Sequence, residues 1–356
     1  MKKHILLLLV SLLSVTAFAQ KPVKSELKAM QAFLSQPAVE ATSNAAALNI
    51  SDLNNPASWE GVKIEGGRIV EINWSGKKLA GNLDLSGFTS LQKVNLSNNR
   101  ISALTVNNNP ALTYLNVGRN RLKDINVSAW PQLTDLRVYR NQLTTIDISG
   151  TPLLQRLNVS GNGLVELNVS NSVNLAYLNC MSNRLESLTL SGCTNLKTLY
   201  AAYNQLEDIT FAGLANLENI NLDNNHLKNL YLQNLDKLFT LMVSDNHLVS
   251  LAVNGCPNLN DVDASFNDLT GFTAENCPNL AFVNLSWNDL TYVDLSNQNF
   301  LQRLNVSHNQ LITVDVTFDQ MLTYLNVANN YNLTDLRTMG CSSLRMIRGA
   351  WDDSDF

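Results

Sequence analysis

An asparagine returns every 21 residues along this chain, at Asn99, Asn120, Asn141, Asn162, Asn183, Asn204, Asn225, Asn246, Asn267, Asn288, Asn309 and Asn330. A fixed period of that length means one structural unit stacked on copies of itself, each touching only its neighbours, so the chain is constrained to a solenoid. Every unit opens on an apolar residue in constant register, from Leu91, Leu112 and Leu133 through to Leu301 and Leu322. In a unit such as Leu133, Leu136, Val138, Asn141, Leu143, the middle pair alternates at period 2. That predicts a short strand with Leu136 and Val138 inward and the intervening residues facing solvent.

The ladder asparagine has a structural use, because its short amide tolerates unusual turn conformations and bonds backbone groups that a bending coil leaves unpaired. A buried amide without partners would cost about 1–3 kcal/mol, so a paired ladder is expected. About ten residues after each first strand comes a second apolar alternation, as in Leu143, Ile146, Ile148 or Leu164, Leu167, Val169. A helix would need a run of roughly ten residues or more, and the Ser, Thr, Asn, Gly and Pro-rich returns leave no room for one. The expectation is a mainly β solenoid of about 12–13 coils with two short strand-like sides per coil. Twelve coils at about 4.8 Å stack to roughly 55 Å.

The unit L-x-x-L-x-L-x-x-N-x-L and its nested ten-plus-eleven spacing resemble the 21-residue leucine-rich repeats of secreted bacterial proteins, the alternating class called IRREKO. They are more distantly similar to internalin repeats, which usually run one residue longer and often carry a short helical turn on the return. The resemblance covers Ile69 to about Ile347. It implies a leucine-rich-repeat superhelix serving recognition or adhesion, with no enzymatic activity.

Residues 1–19 read as a secretory signal peptide: Lys2 and Lys3 are basic, Ile5 to Val10 lead an apolar stretch, and Ala17-Phe18-Ala19 is an A-x-A cleavage site. The apolar run is shorter than the roughly 20 residues a transmembrane span needs. No later stretch reaches that length, and no cysteine follows the cleavage site to accept a lipid. The product is expected to be exported and then periplasmic, associated with the outer surface, or secreted. The formal charge is −5, and it becomes −7 once Lys2 and Lys3 leave with a segment that holds no acid. A net anionic chain is a poor match for nucleic acid.

Residues 20–68 are read as an N-terminal cap region. Lys24 to Leu34 has helical spacing in Leu27, Met30, Phe33 and Leu34. Asn55-Pro56-Ala57-Ser58-Trp59-Glu60-Gly61-Val62, with Gly67-Arg68-Ile69-Val70 and Leu79-Ala80-Gly81-Asn82-Leu83, resembles the N-terminal cap of plant-type leucine-rich-repeat receptors, without the paired cysteines that usually flank the Trp. Repeats fill 69–338. The register slips by one residue at Tyr331, and 339–356 is read as the C-terminal cap, ending in Trp351 and an acidic tail. Caps are required because an open stack would expose its last strands.

Cys193, Cys256, Cys277 and Cys341 each lie three residues before a repeat-opening Leu, and Cys180 holds a strand core position. Cys256 and Cys277 are one repeat apart and stack in adjacent coils. Buried thiols packed as small apolar groups are preferred to a disulfide between these two, and the alternative stays open in an exported protein.

The two sides differ in what they show to solvent. The second side carries Ser102, Thr105, Thr144, Asp147, Asn168, Thr189, Thr273 and Asp315, with Tyr231, Tyr292 and Phe318 as its aromatics and no Arg. The first side carries Arg119, Arg137, Tyr139, Arg140 and Arg156 in three consecutive coils, then Tyr177, Met181, Tyr200 and Tyr203. Beyond these come Asp223, Asp245, Asp261 and Asp263, interleaved with Phe239, Met242, Phe266, Phe282 and Trp287, and then Arg303, His308 and Tyr324. Exposed aromatic residues, Met and Arg are what interface hot spots concentrate. The first-strand face is therefore the expected binding surface, and its partner a protein of a host or of the envelope. A glycan stacked on Tyr and Trp is the second reading, and a purely architectural envelope component the third.

No phosphate loop, zinc pattern, G-x-S-x-G elbow or H-E-x-x-H motif is present, and no cofactor is called for. His226 and His247 lie one repeat apart near Asp223 and Asp245. They match no ligand spacing, so they are read as solvated turn residues and no metal is assigned.

Overall fold

The computed structural model describes residues 23–296 and 298–349. The segment read as a signal peptide and the tail with Trp351 lie outside the described residues. Helix α1 spans Lys24–Leu34 and buries Met30, Phe33 and Leu34, the spacing that places them on one face. Its buried Glu26 accepts the Ile69 N–H at 3.0 Å and is ion-paired with Arg68 at 2.8 Å, which ties the helix to the first strands of the stack. A short helix, α2 (Asn44–Ala47), and a 3₁₀ turn (Pro56–Ser58) follow; the sequence pattern did not reveal either. Asn44 donates to Phe33 O and Ala80 O and accepts from Ala80 N, a side-chain clamp between helix and first coil.

Strands β1 (Val62–Glu65) and β2 (Arg68–Asn73) form an antiparallel hairpin around Gly66-Gly67, both at positive φ. From β2 onward the main sheet is parallel, and it reaches 15 strands, ending at Met346–Arg348. Register advances by one repeat per strand, as in Leu136 against Leu157 and Leu178 against Leu199. The last two steps take one residue more, with Thr313 opposite Asp335 and Tyr324 opposite Met346, which is the slip at Tyr331. Residues beyond 338 thus add another strand to the sheet. The second side forms four short sheets instead of one, interrupted over the coils near 121–148 and 206–211 and again between Gly271–Glu275 and Tyr292–Asp294.

One apolar core runs the length of the stack, and the unit-opening leucines from Leu91 to Leu322 are essentially inaccessible. The ladder asparagines join adjacent coils. Asn225 donates to Leu222 O in its own turn at 2.9 Å and to Ala201 O one coil back at 3.1 Å, and accepts from Leu206 N at 3.1 Å. Asn141, Asn183 and Asn330 repeat the same three bonds. Each bond contributes about 1 kcal/mol net, and the larger effect is that no buried turn group is left without a partner. The molecule is a leucine-rich-repeat β solenoid of about 13 coils with a small helical N-terminal region.

Candidate functional site

Each position on the face of the continuous sheet has a default residue. The last strand residue, four before the ladder Asn, is usually Asn, whose Oδ1 accepts the N–H two residues on: Asn95 from Ser97, Asn158 from Ser160, Asn284 from Ser286, Asn305 from Ser307. This Asx turn bends the chain off the sheet. Arg137, Tyr200 and Met242 occupy the same position and give up that bond.

The residue just before the ladder Asn sits in the left-handed region. Asn98, Gly161, Ser182, Asn224 and Asn329 satisfy this with the small polar or Gly side chains such a conformation favours. Arg119, Arg140, Tyr203, Asp245, Phe266, Trp287 and His308 take it at φ between 50° and 58°. For bulky side chains that backbone costs roughly 1 kcal/mol or more, and such strain concentrates at functional positions. Sequence reading placed Arg119, Arg140, Tyr203, Phe266 and Trp287 on the strand face; they stand instead in the turn along its edge, because the bend begins at the Asx position. Their side chains remain largely in solvent, with Tyr203 55%, Phe266 54% and Trp287 44% exposed.

These side chains meet along the stack. Phe266, Trp287 and His308 form a continuous ring column, with centroids 5.5 and 3.8 Å apart and planes within 10°. His308 Nε2 lies 3.0 Å from Asn329 Nδ2. Arg156 lies 3.6 Å over the Tyr177 ring, and Tyr177 meets Tyr200 edge to face at 5.8 Å. Arg303 covers Tyr324 at 5.0 Å. Arg137 covers Tyr114 at 5.5 Å and is paired with Asp135 at 2.7 Å, so it is not a free cation, and Asp135 holds its guanidinium above the usual range. A Cβ on Gly118 would come 2.2 Å from the Tyr139 ring; glycine at that position lets the ring lie flat on the neighbouring coil.

The acidic stretch is partly buried. Burial first raises the pKa of Asp223 and of Asp261, and the charge of Asp263 adds to both. Asp263 accepts from Ser265 N, Ser265 Oγ and Asn284 Nδ2, serving as an Asx residue like its neighbours. A depression of about 370 Å³ opens between Asp263, Phe282, Arg303 and Tyr324, and another of about 300 Å³ lies beside Trp287 and His308. Thirteen of the fourteen candidate residues thus fall along two stretches of the face, Arg119 to Tyr203 and Asp263 to Arg303. Phe239 is exposed in the bend that enters its strand, where no ring contact involves it among the described residues.

His226 and His247 stack at 5.8 Å, and the acid beside them is Asp268, 3.7 Å from His247, and not Asp223 or Asp245. No group of three metal-ligating side chains occurs among the described residues. All five cysteines are free thiols. Burial pushes the Cys180 thiol up to about 12, and Cys256 and Cys277 share a hydrogen bond that raises the first and lowers the second. The second side does carry an arginine: Arg337, brought there by the 22-residue step, bridges Asp315 and Asp335.

No family model matches this sequence, and no curated protein does. Solved structures do. The functional domain of InlJ from Listeria monocytogenes, which includes a cysteine ladder, superposes with a TM-score of 0.59 at 26% identity, over 73% of this chain and 63% of that one. The chain therefore spans a little under two thirds of that structure. An internalin, inlF, from the same organism gives a TM-score of 0.61 at 18% identity over 90% of this chain and 98% of that one. A leucine-rich-repeat protein of Leptospira interrogans gives 0.53 at 23%, over 63% and 68%. The fold is internalin-like.

Proposed function

We propose that this protein is an exported recognition or adhesion module that binds a protein partner through the face of its continuous sheet and the adjoining turn. The observation that carries this is the occupancy of the left-handed turn position. A column whose backbone suits Asn and Gly holds Arg, Tyr, Phe, Trp and His in six coils. That backbone costs a bulky residue roughly 1 kcal/mol or more, and exposed Tyr, Trp and Arg on a rigid scaffold are what interface hot spots are made of. The fold shared with the internalin-like structures supports the same reading. Export rests on residues 1–19, whose basic, apolar and A-x-A segments follow signal-peptide order. In the proposed division, 20–68 caps the stack, 69–338 forms the recognition solenoid and 339–356 closes it.

The test uses immobilised mature protein, residues 20–356, probed with envelope and host-cell extracts beside a glycan array. A variant carrying Arg137→Glu, Tyr139→Ala and Tyr203→Ala runs in parallel. Capture of a defined protein by the parent and its loss in the variant is the expected result. Glycan binding sensitive to Trp287→Ala and indifferent to salt would favour a sugar ligand, for which the exposed ring column is the motivating feature. Capture of nothing would leave an architectural role.

A further inference from the structure

The edge where the chain leaves the first side presents three outward positions per coil: the residue before the ladder Asn, the residue after it, and the third after it. In the coils of Asn99, Asn120 and Asn141 these nine positions hold Arg100, Arg119, Arg121, Lys123 and Arg140, and the other four are Asn98, Ser102, Gln142 and Thr144. All five cations are exposed, and exposed Lys77 continues the row into the preceding coil. In the coils of Asn246, Asn267 and Asn288 the same nine positions hold Asp245, Asp268 and Asp289 and neither Lys nor Arg. One end of this edge is therefore strongly basic on a chain whose net charge is −5.

Backbone bonds between coils hold the row in place. Arg100 N donates to Leu79 O at 2.7 Å, Arg121 N to Ile101 O at 2.9 Å, Asn99 N to Arg119 O at 3.1 Å and Arg119 N to Tyr139 O at 2.7 Å. Equivalent residues in adjacent coils thus stand about 4.8 Å apart along the stack. No ion pair among the described residues uses any of the six cations, and Asp124, beside Lys123 in sequence, pairs with none of them. Like charges held at that spacing destabilise the chain that carries them. Arg119 and Arg140 stand in the left-handed backbone as well. An anion laid along the row converts the repulsion into attraction.

We infer that this row is a binding site for a linear sulfated polysaccharide of the heparin class. Four of the five cations at the nine positions are Arg, whose planar fork of donors pairs with two oxygens of one oxyanion. Guanidinium and sulfate ester both keep their charge across the pH range in which proteins are folded, so the match does not depend on titration. Four coils at about 4.8 Å make the row roughly 15 Å long, which suits a polymer with charges at regular intervals better than one small anion. The nine positions carry no aromatic ring, so the stacking platform that single-stranded nucleic acid uses is missing. The site goes beyond the proposed protein-binding face: Arg119 and Arg140 belong to both, while Arg100, Arg121 and Lys123 belong to the row alone. It is also separate from the ring column of Phe266, Trp287 and His308, where a neutral sugar would stack.

The experiment titrates mature protein with heparin, with desulfated heparin, which keeps its carboxylates, and with single-stranded DNA of similar length. Two variants run beside the parent: Arg100→Glu with Arg121→Glu in the row, and Lys237→Glu with Arg345→Glu, which makes the same change in net charge elsewhere. The parent is expected to bind heparin, about a hundredfold more weakly at 200 mM than at 50 mM salt if five charges are neutralised. Desulfated heparin and DNA should each bind at least about tenfold more weakly than heparin. The row variant should lose at least about tenfold in heparin affinity with an unchanged thermal melt, and the control variant should bind as the parent does. A parent that does not bind heparin, an equal loss in the control variant, or desulfated heparin or DNA bound as tightly as heparin would each overturn the inference. Protein capture by the row variant should match the parent, so failure of this site and failure of the protein-binding face are told apart.

Discussion

Most coils turn twice through the left-handed region, the second-side turns at Ala129 and Gly150 being exceptions, and the two turns are filled in opposite ways. The turn leaving the second side uses Gly87, Asn108, Asn171, Gly192, Gly213, Asn234, Gly255, Asn276 and Gly340, with Phe318 the exception among the described residues. The turn leaving the first side uses Arg119, Arg140, Tyr203, Asp245, Phe266, Trp287 and His308 alongside its Asn, Ser and Gly. At the non-glycine positions φ is similar in both, 50–60° in the first column and 54–66° in the second, while the second-column glycines run from 64° to 83°. The second column therefore shows what folding alone selects, and the first shows a departure from it. That internal control separates residues kept for the fold from residues kept for contact, without any second sequence.

Breaking the element common to both columns should have the largest effect. Asn225→Ala removes three buried hydrogen bonds and leaves Leu206 N without a partner, while Ala201 O keeps Asn204 and Leu222 O keeps Asn246, so urea unfolding should show a loss of about 2–3 kcal/mol. An unchanged midpoint would mean that water replaces the ladder amide and that the ladder is not what holds the turn.

The exception in the second column predicts a pH effect. Phe318 precedes Asp319, which is fully buried, accepts from Gln298 N at 2.8 Å, and has one oxygen with no partner. Burial raises its pKa from 3.8 to about 7. A folded pKa above the unfolded one means that the folded state holds the proton more tightly. The associated stability is complete below about pH 4 and lost as pH rises through about 7. Asp319→Asn should flatten that slope and raise the melting temperature at pH 8; a parallel slope in the variant would assign the pH dependence to other groups.

The reciprocal change sharpens the comparison. Asn234→Tyr puts an aromatic residue in the second column at φ 56° and should destabilise by about 1–2 kcal/mol. Partner capture should not change. An equally stable variant would show that this turn accepts bulk freely, and the first column would lose its meaning. A smaller effect is expected of Phe266→Asn, where relief of about 1 kcal/mol of backbone strain offsets the loss of a stacked pair worth about 0.5–1.5 kcal/mol. Its melting temperature should stay close to that of the parent.

The sequence made the fold legible because a repeated signal averages out local ambiguity. Leu136 or Leu178 alone is any buried leucine, and twelve in one register are a sheet. The helix Lys24–Leu34 was readable from its apolar spacing for the same reason that Asn44–Ala47 was not: four residues carry no period. The candidate residues were legible as types but not in their placement. Trp287 looks like a strand residue until the Asx bond of Asn284, three positions earlier, is known to end the strand, and Arg140 takes the same left-handed place in a coil whose Asx position is Arg137. The stacking of His308 on Trp287, and the meeting of Arg337 with Asp315, depend on side-chain direction and on a 22-residue step that shifts the register.

The most direct test of the account measures stability and capture together in one variant, Arg140→Asn with Tyr203→Asn. Neither side chain takes part in a ring or ion-pair contact among the described residues, so Asn mainly relieves the left-handed backbone. The account predicts a protein more stable than the parent by about 1–2 kcal/mol in urea unfolding that has lost its partner. A variant that is less stable, or one that is more stable and still binds as the parent does, would contradict the claim that these turns carry bulky residues for contact at the expense of the fold.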